Sequence, residues 1–405
     1  MGNVAKRILF LTSELPYPPE QGGSLRTYHL LKHAAAHHAV TLLSFAERPR
    51  ETEPLEQACE DVVTVPAPMR GGGDRLRTLV LSRRPDMADR LASPTYTQAL
   101  QRLVTNQPYD YLQVQSIEMA PYGLLVQEWL GDQAPKLVFD DFNAEYLLQW
   151  RALQADSRDL RRWPNALYSV LQWQRLRRYE CQVCQRAHAV IAVSEADAAA
   201  LRKLDPTLAP VVIPNGVETS RYRPLPPPPD DMQAPAVLFM GKMDFRPNVD
   251  AVLWFHRHVW PRVTLMHPTA HFYVVGKRPH PRLEPLTYDP SVTVTGYVPD
   301  VRPFMAGATV FVVPMRIGGG TRLKLLEAMA AGLPIVSTSM GAEGVDVTHD
   351  QHLCLADGAD AYAQAVCDLL SDEARRRALG QRAREHALRW DWSRITPLLD
   401  AIYQA

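Results

Sequence analysis

Short apolar runs alternate along the chain with longer stretches in which apolar residues return at helical spacing. That is the pattern of strands covered on both faces by helices, as in parallel α/β sheets. In the first half, residues 7–11, 40–45, 61–65, 111–114, 136–140, 189–193 and 211–213 read as strands, and 23–37 and 163–185 as helices. Ser194 opens a further helix with Asp197 three residues on, the spacing of a capping box with Asp in place of Glu. Pro214-Asn215-Gly216 ends the last strand of this half in a turn. Residues 223–231 then carry five prolines, which fill neither a helix nor a central strand and read as a stiff extended connector. The rhythm restarts with strands at 236–240, 271–275, 291–295, 309–313 and 334–337, and helices at 248–260, 301–306 and 324–331. A helical tail at 360–389 leads, past Trp390-Asp391-Trp392, into a last helix at 393–402. The domains predicted are 1–222, a linker at 223–235, and 236–389, with 390–405 packing back on the first.

Length agrees: 405 residues are too many for one ordinary core and comfortable for two domains. With 46% hydrophobic and 22% charged residues the composition is that of a globular protein rather than a disordered one. Basic and acidic residues balance at 44 each, so net charge points to no nucleic-acid partner. No window approaches the roughly 20 uninterrupted apolar residues of a membrane-spanning helix. The apolar start, Ile8 to Leu11, is interrupted by Thr12, Ser13 and Glu14 and reads as a buried first strand, not a signal sequence. Met1-Gly2 begins like a myristoylation signal, but Lys6 stands where Ser or Thr is required. The five cysteines make no disulfide framework, and Cys181 and Cys184, a CxxC without a second pair, read as ordinary helix residues rather than a metal or redox site. The compartment predicted is reducing and cytoplasmic.

Three predicted strands of the second half run straight into glycine turns: Met240-Gly241-Lys242, Val275-Gly276-Lys277 and the stretch from Pro314 to Thr321. In a parallel sheet the carboxyl ends of the strands line the ligand crevice. Gly318, Gly319 and Gly320 leave the backbone bare, so amide N–H groups can meet a diphosphate, and the helix starting near Thr321 turns its positive end to the same place. Arg316, Arg322 and Lys324 add cationic side chains. No Lys-Ser/Thr follows the glycines, so this is not a Walker A loop, and no GxGxxG follows the first strand. Glu327, on the same helix, has two readings: a carboxylate accepting both ribose hydroxyls, or a helix glutamate paired with a neighbour.

In the first half, a proline-rich loop closes on Gly22-Gly23 before a helix carrying Arg26. It reads as a ligand loop or as a plain strand-to-helix connection. Asp141, Asn143 and Glu145, at the end of the 136–140 strand, read as acceptor-side acid/base groups or as helix caps. His29, His33, His37 and His38 recur on one helix without interspersed acids and read as a helix face rather than a metal site. Arg161, Arg162, Arg175, Arg177, Arg178 and Arg186, interleaved with Trp163, Trp173 and Tyr179, read as arginines over an apolar packing face, with peripheral contact to an anionic membrane as the second reading.

Together these segments resemble the retaining glycosyltransferases of family 4, the group 1 glycosyltransferases of GT-B fold. The resemblance covers nearly the whole chain. It rests on Leu15 to Gly23, Val190 to Glu195, Ile213 to Glu218, Phe239 to Gly241 with Arg246-Pro247-Asn248, Gly296 to Asp300, the stretch from Gly318 to Pro334, and Ala342 to Gly344. It implies two Rossmann-like, doubly wound parallel-sheet domains facing an interdomain cleft. It also implies a donor nucleotide sugar (UDP-, GDP- or another NDP-sugar) on the C-terminal domain, held by Gly241, Gly276, Tyr297, Arg316, Gly318, Gly319, Gly320, Thr321, Arg322, Lys324 and Glu327, with Glu327 on the ribose. Lys242, Arg246, Asp141 and Asn143 are the residues it assigns to catalysis, and Gly22, Gly23, Arg26 and Glu145 to the acceptor side.

The chain departs from the family pattern at three positions. The first of two glutamates falls on Gly319, the second of two basic residues on Pro247, and a histidine on Phe142. The mechanism implied is transfer with retention of configuration, without a cofactor or a metal, to a glycan, lipid-linked or small-molecule acceptor. The rival readings are a sugar-nucleotide epimerase of the same fold and a degenerate binding or scaffold protein. A dehydrogenase lacks its dinucleotide fingerprint.

Overall fold

The computed structural model describes residues 5–19, 22–46, 52–69, 71, 82, 84–156, 163–318 and 320–404. The chain divides into two compact units, Met1–Pro214 with Ile395–Ala405, and Asn215–Arg394. Each is an all-parallel α/β sheet.

The first unit holds β1 (Arg7–Thr12), β2 (Ala39–Ala46), β3 (Asp61–Pro66), β4 (Tyr111–Gln115), β5 (Lys136–Asp141), β6 (Ala189–Ala192) and β7 (Val211–Val212), in the order β3-β2-β1-β4-β5-β6-β7. The central strand β1 pairs Ile8 with Val40 on one side and with Tyr111 on the other. Ile8 to Leu11 are wholly buried, which is why the strand reads as a continuous apolar run rather than an alternation. Helices α1 (Gly22–His37), α2 (Pro94–Asn106), α3 (Ala120–Leu130), α4 (Glu145–Asp156), α5 (Trp163–Arg186) and α6 (Glu195–Leu204) connect the strands. The Ser194 hydroxyl accepts from the Asp197 amide at 3.1 Å, so the predicted cap starts α6.

The second unit holds β8 (Ala236–Met240), β9 (His271–Val275), β10 (Val292–Gly296), β11 (Val310–Val313), β12 (Ile335–Ser337) and β13 (Cys354–Leu355), in the order β10-β9-β8-β11-β12-β13. Its main helices are α7 (Arg246–Trp254), α8 (Leu323–Ala330), α9 (Ala359–Ser371) and α10 (Glu373–Ala387). In both sheets the strand order reverses beside the first strand, the topological switch at which doubly wound sheets bind ligands.

Three of the expected helices differ from what is found, and so does the boundary between the units. The helix expected at 248–260 is α7 followed by a wide turn at Phe255–Val259 and a new helix at Trp260–Met266. Pro261 has no N–H and its ring crowds the preceding carbonyls, which opens the hydrogen-bond ladder there. The tail expected as one helix breaks at Asp372, whose carboxylate caps α10 by accepting from the Arg375 amide at 2.8 Å. The last helix is three short pieces, Trp392–Ile395, Thr396–Leu399 and Asp400–Tyr403. The division between units falls after Pro214, and the proline-rich segment belongs to the second unit, where Pro228 and Met232 lie against Gly307. The terminal residues belong to the first unit: Tyr403 is buried against His38 and Tyr111 and donates to Gln113 at 3.2 Å, and His33 meets Asp400 at 2.8 Å.

Candidate functional site

The glycine turns of the second unit are drawn together by their own backbone. The Gly241 amide donates to Val275 O at 3.0 Å, and the Gly276 amide to Gly296 O at 3.2 Å. A Cβ added at Gly276 would stand 1.7 Å from the Gly241 carbonyl oxygen, so no other residue fits between these two strand ends. Gly276→Ala is therefore expected to lower the unfolding free energy by about 3 kcal/mol, since backbone has to move to admit the methyl group. Urea denaturation checks this; a loss within ~0.5 kcal/mol of zero would contradict the packing described.

Beyond β11 the chain passes through Gly318 and Gly320, both at positive φ, into α8, whose amino end no side chain caps. Such an end leaves donor N–H groups and the positive pole of the helix available to an anion. Gly319 lies outside the described residues. Arg322 is buried, with its guanidinium beneath Gly318, where an added Cβ would be 3.0 Å from Nη2. The Thr321 hydroxyl is buried beside Gly344, without a hydrogen-bond partner among the described residues.

On α8, Lys324 and Glu327 sit one turn apart and face different partners. Lys324 Nζ donates to Asn248 Oδ1 at 2.7 Å and lies 4.2 Å from the centre of the Phe239 ring. Burial lowers its pKa to about 7, with the Arg322 charge acting in the same direction and Glu327 opposing. Glu327 is shifted the other way, its pKa raised by burial and held back by a hydrogen bond from the Tyr222 hydroxyl and by the charges of Lys324 and Arg221.

The remaining cations are placed less centrally. Arg316 forks onto Asp250 of α7 at 2.9 and 3.2 Å and lies 5.6 Å over Trp254. Lys242 is 3.8 Å from Asp244, and Arg246 and Tyr297 are exposed.

In the first unit, Arg26 is 1% exposed and serves the interior rather than a ligand. It pairs with Asp140 through Nε at 3.0 and 3.1 Å and Nη2 at 2.8 Å, and Nη1 donates to Ile213 O at 2.8 Å. Gly23 approaches the Phe142 ring so closely that a Cβ there would be 3.1 Å from it, which explains the glycine in terms of packing. Glu20, Gln21, Arg161 and Arg162 lie outside the described residues.

Asp141 is buried beside Glu180 of α5, and burial together with the neighbouring charge raises both carboxyls, so the pair retains a proton at neutral pH. Glu180 accepts from the Glu145 amide at 2.7 Å and the Tyr146 amide at 3.0 Å, capping α4 from a distance. Asn143 Nδ2 donates to Glu145 at 3.4 Å, and burial moves the Glu145 pKa up to about 7. Asp141, Asn143 and Glu145 are thus gathered at the end of β5, with Asp141 buried and its carboxyl oxygens without a hydrogen-bond partner among the described residues. Among the described residues, no group of three His, Cys, Asp or Glu side chains is placed to hold a metal ion, and no helix is long and apolar enough to cross a membrane.

Sequence reasoning missed Glu180, Asn248 and Tyr222. Glu180 had a signal, an acid on the stripe of α5 formed by the buried Leu176, Tyr179, Val183 and Cys184. Asn248 stood in the Arg246-Pro247-Asn248 motif, but nothing there pointed to Lys324, 76 positions on, and Tyr222 had no signal, because its partner lies 105 positions away in the chain.

Two doubly wound sheets, the second with strand-end glycines that meet an uncapped helix amino end, define a Rossmann-like α/β protein. The chain belongs to the group 1 glycosyltransferases: residues 234–372 match the profile described as "Glycosyl transferases group 1" and residues 21–221 that of "Glycosyltransferase Family 4". Over 210 residues it is 29% identical to the GDP-mannose-dependent alpha-(1-6)-phosphatidylinositol monomannoside mannosyltransferase of Mycobacterium tuberculosis (strain ATCC 25618 / H37Rv), covering 46% of this chain and 54% of that protein. The chain spans about half the length of the curated relatives it matches, or less. Its fold is similar to that of sucrose-phosphate synthase from Thermosynechococcus elongatus, with TM-score 0.72 and 18% identity over 98% of each chain. It is also similar to Anabaena Alr3699/HepE in complex with UDP and glucose, with TM-score 0.66 and 17% identity over 98% of this chain and 99% of that one. These likenesses identify the GT-B fold.

Proposed function

We propose that the protein is a retaining, metal-independent glycosyltransferase that moves a sugar from a nucleoside-diphosphate donor to a hydroxyl of a glycan or glycolipid. The observation that carries this reading is the placement of Lys324 and Glu327 one turn apart on α8, the helix that follows the glycine loop. Glu327 receives the two ribose hydroxyls. The loop amides, the amino end of α8 and Lys324 receive the diphosphate and stabilise the charge that grows on it as the sugar leaves. In the transfer, the bond from the anomeric carbon to the phosphate oxygen breaks and a bond to the acceptor oxygen forms on the same face. The acceptor proton passes to a phosphate oxygen of the leaving nucleoside diphosphate, so no carboxylate base is required. That suits the first unit, where Asp141 is buried and its pKa is raised well above the usual carboxylate range by burial and by the neighbouring Glu180.

Acceptor recognition is assigned to the first unit, with Gly22, Asn143 and Glu145 at the strand ends. The mannosyltransferase relative uses GDP-mannose by its name, and the Anabaena structure holds UDP and glucose, so both donor bases enter the test. Calorimetric titration with UDP-, GDP-, ADP- and dTDP-sugars, without divalent metal, is expected to give saturable binding of one class. No binding of any donor, with or without added metal, would leave the scaffold reading in its place.

A further inference from the structure

We infer that Asn248 is a positioning residue which holds Lys324 as the cation for the donor diphosphate, in place of the basic residue that the family pattern has at position 247, and that donor binding is coupled to proton uptake by Lys324. The inference rests on the donor reading above.

Pro247 brings no charge to the first turn of α7 and is buried there. The next residue does two things at once. Its Nδ2 donates to the Lys242 carbonyl at 2.8 Å, and its Oδ1 accepts from Lys324 Nζ at 2.7 Å, while the side chain as a whole is only 5% exposed. The carboxamide therefore ties the turn after β8 to the start of α8. It sets the Lys324 ammonium against the bare backbone at the end of β8, where a Cβ at Gly241 would lie 2.8 Å from Nζ. A larger residue at 241 would displace the amine from this position. The cation missing from α7 is thus supplied from α8.

The groups around Nζ explain why its charge depends on a ligand. From its own element it feels Arg322, which disfavours the charge, and Glu327, which favours it. From β8 it meets the Phe239 ring, and from α7 the neutral amide of Asn248. The nearby acids are committed elsewhere: Asp250 is bound by Arg316, Asp244 lies beside Lys242, and Glu327 accepts from Tyr222. Burial, with the Arg322 charge beside it, brings the pKa of the amine down to about 7. A diphosphate supplies the absent counter-charge and so favours the protonated form. The lysine's contribution to affinity is then level well below pH 7 and falls above it, by up to about tenfold per pH unit, until the pKa of the complex is reached.

The full chain is titrated with UDP-glucose and GDP-mannose, whose diphosphate has no ionisation near neutrality, in buffers of different ionisation enthalpy at pH 6 and pH 8. The expected result is uptake approaching one proton at pH 8, less at pH 6, and weaker binding at pH 8. Lys324→Met removes the uptake and weakens binding at pH 6 by about tenfold, the loss of one charge-assisted contact. Asn248→Asp places a carboxylate on Nζ, keeps the lysine protonated in the free protein, and flattens the pH dependence. Asn248→Leu releases the amine and weakens binding at both pH values. Uptake that persists in folded Lys324→Met, or a pH slope unchanged in folded Asn248→Asp, overturns the inference. Binding by the natural chain without proton uptake also overturns it while leaving the donor reading intact; absence of any binding overturns the donor reading itself.

Discussion

Glu327→Ala is expected to weaken donor binding about 100-fold while leaving the thermal midpoint nearly unchanged. A carboxylate that accepts two ribose hydroxyls makes two charge-assisted hydrogen bonds, and such bonds contribute about 1.5–3 kcal/mol each, less what the ribose regains from water. Glu327 is prepared for this by the Tyr222 hydroxyl, which fixes the carboxyl before any ligand arrives. Tyr222→Phe is accordingly expected to cost less, about threefold to tenfold, since it loosens the acceptor without removing it. Glu327→Gln should fall between the two. Acid acts like the substitution: because burial raises the Glu327 pKa, protonation sets in above the usual carboxylate range, and donor affinity declines as the pH falls through it. Calorimetry on the three variants checks the order. An affinity for Glu327→Ala within threefold of the natural chain would remove the ribose role and with it the main support for the donor reading.

The legible parts of this fold are those in which a residue's surroundings are set by its own element. β8 reads as Ala236–Met240 because every side chain on it is buried, so hydrophobicity alone delimits it. Gly276 reads as a tight strand end because only the backbone can explain a glycine there, and the Gly241 carbonyl is what it meets. The break at Asp372 was equally local, a Ser-Asp-Glu helix start inside a helical tail, and was outweighed by the strong helix formers on either side.

What the sequence does not disclose is which of two good roles a polar residue takes. Arg26 and Arg316 both stand beside glycine loops and both read as ligand groups. The fold gives one to Asp140 and the other to Asp250, carboxylates that are 114 and 66 positions distant. Lys324 carries the opposite lesson. Its place in the motif was visible, but its weak hold on a proton arises from burial and from the Arg322 charge, and the side chains it packs against, Phe239 and Asn248, come from other elements that no local pattern connects to it. Chemistry that depends on burial becomes visible only when the neighbours from other elements are known.

Arg26→Met is expected to lower stability by about 3–5 kcal/mol, the largest loss from any single substitution considered for this chain. Both partners of the Arg26–Asp140 pair are essentially inaccessible, at 1% and 0% exposure of their side chains. Removing one leaves the other's charge uncompensated in the interior, and the desolvation penalty then falls on Asp140 alone. The same change strands the carbonyl oxygens of Ile213 and Pro214 at the end of the first unit's sheet.

The pH response separates this explanation from simple loss of packing. Burial already raises the Asp140 pKa against the pull of Arg26, and without the guanidinium it rises further. The folded variant then binds a proton more tightly than the unfolded chain does. Its stability must therefore increase as pH falls from neutrality through that raised value, the reverse of an ordinary acid denaturation, and level off near the unfolded carboxylate range. Urea midpoints of Arg26→Met measured from pH 7.5 down to pH 5 should rise relative to those of the natural chain. The double variant Arg26→Met/Asp140→Leu should recover much of the loss and abolish the pH trend, because it removes the stranded charge along with its partner. If the single variant loses the same amount at every pH, Arg26 acts through its volume and its carbonyl contacts, and the ion pair contributes no more than a surface one would.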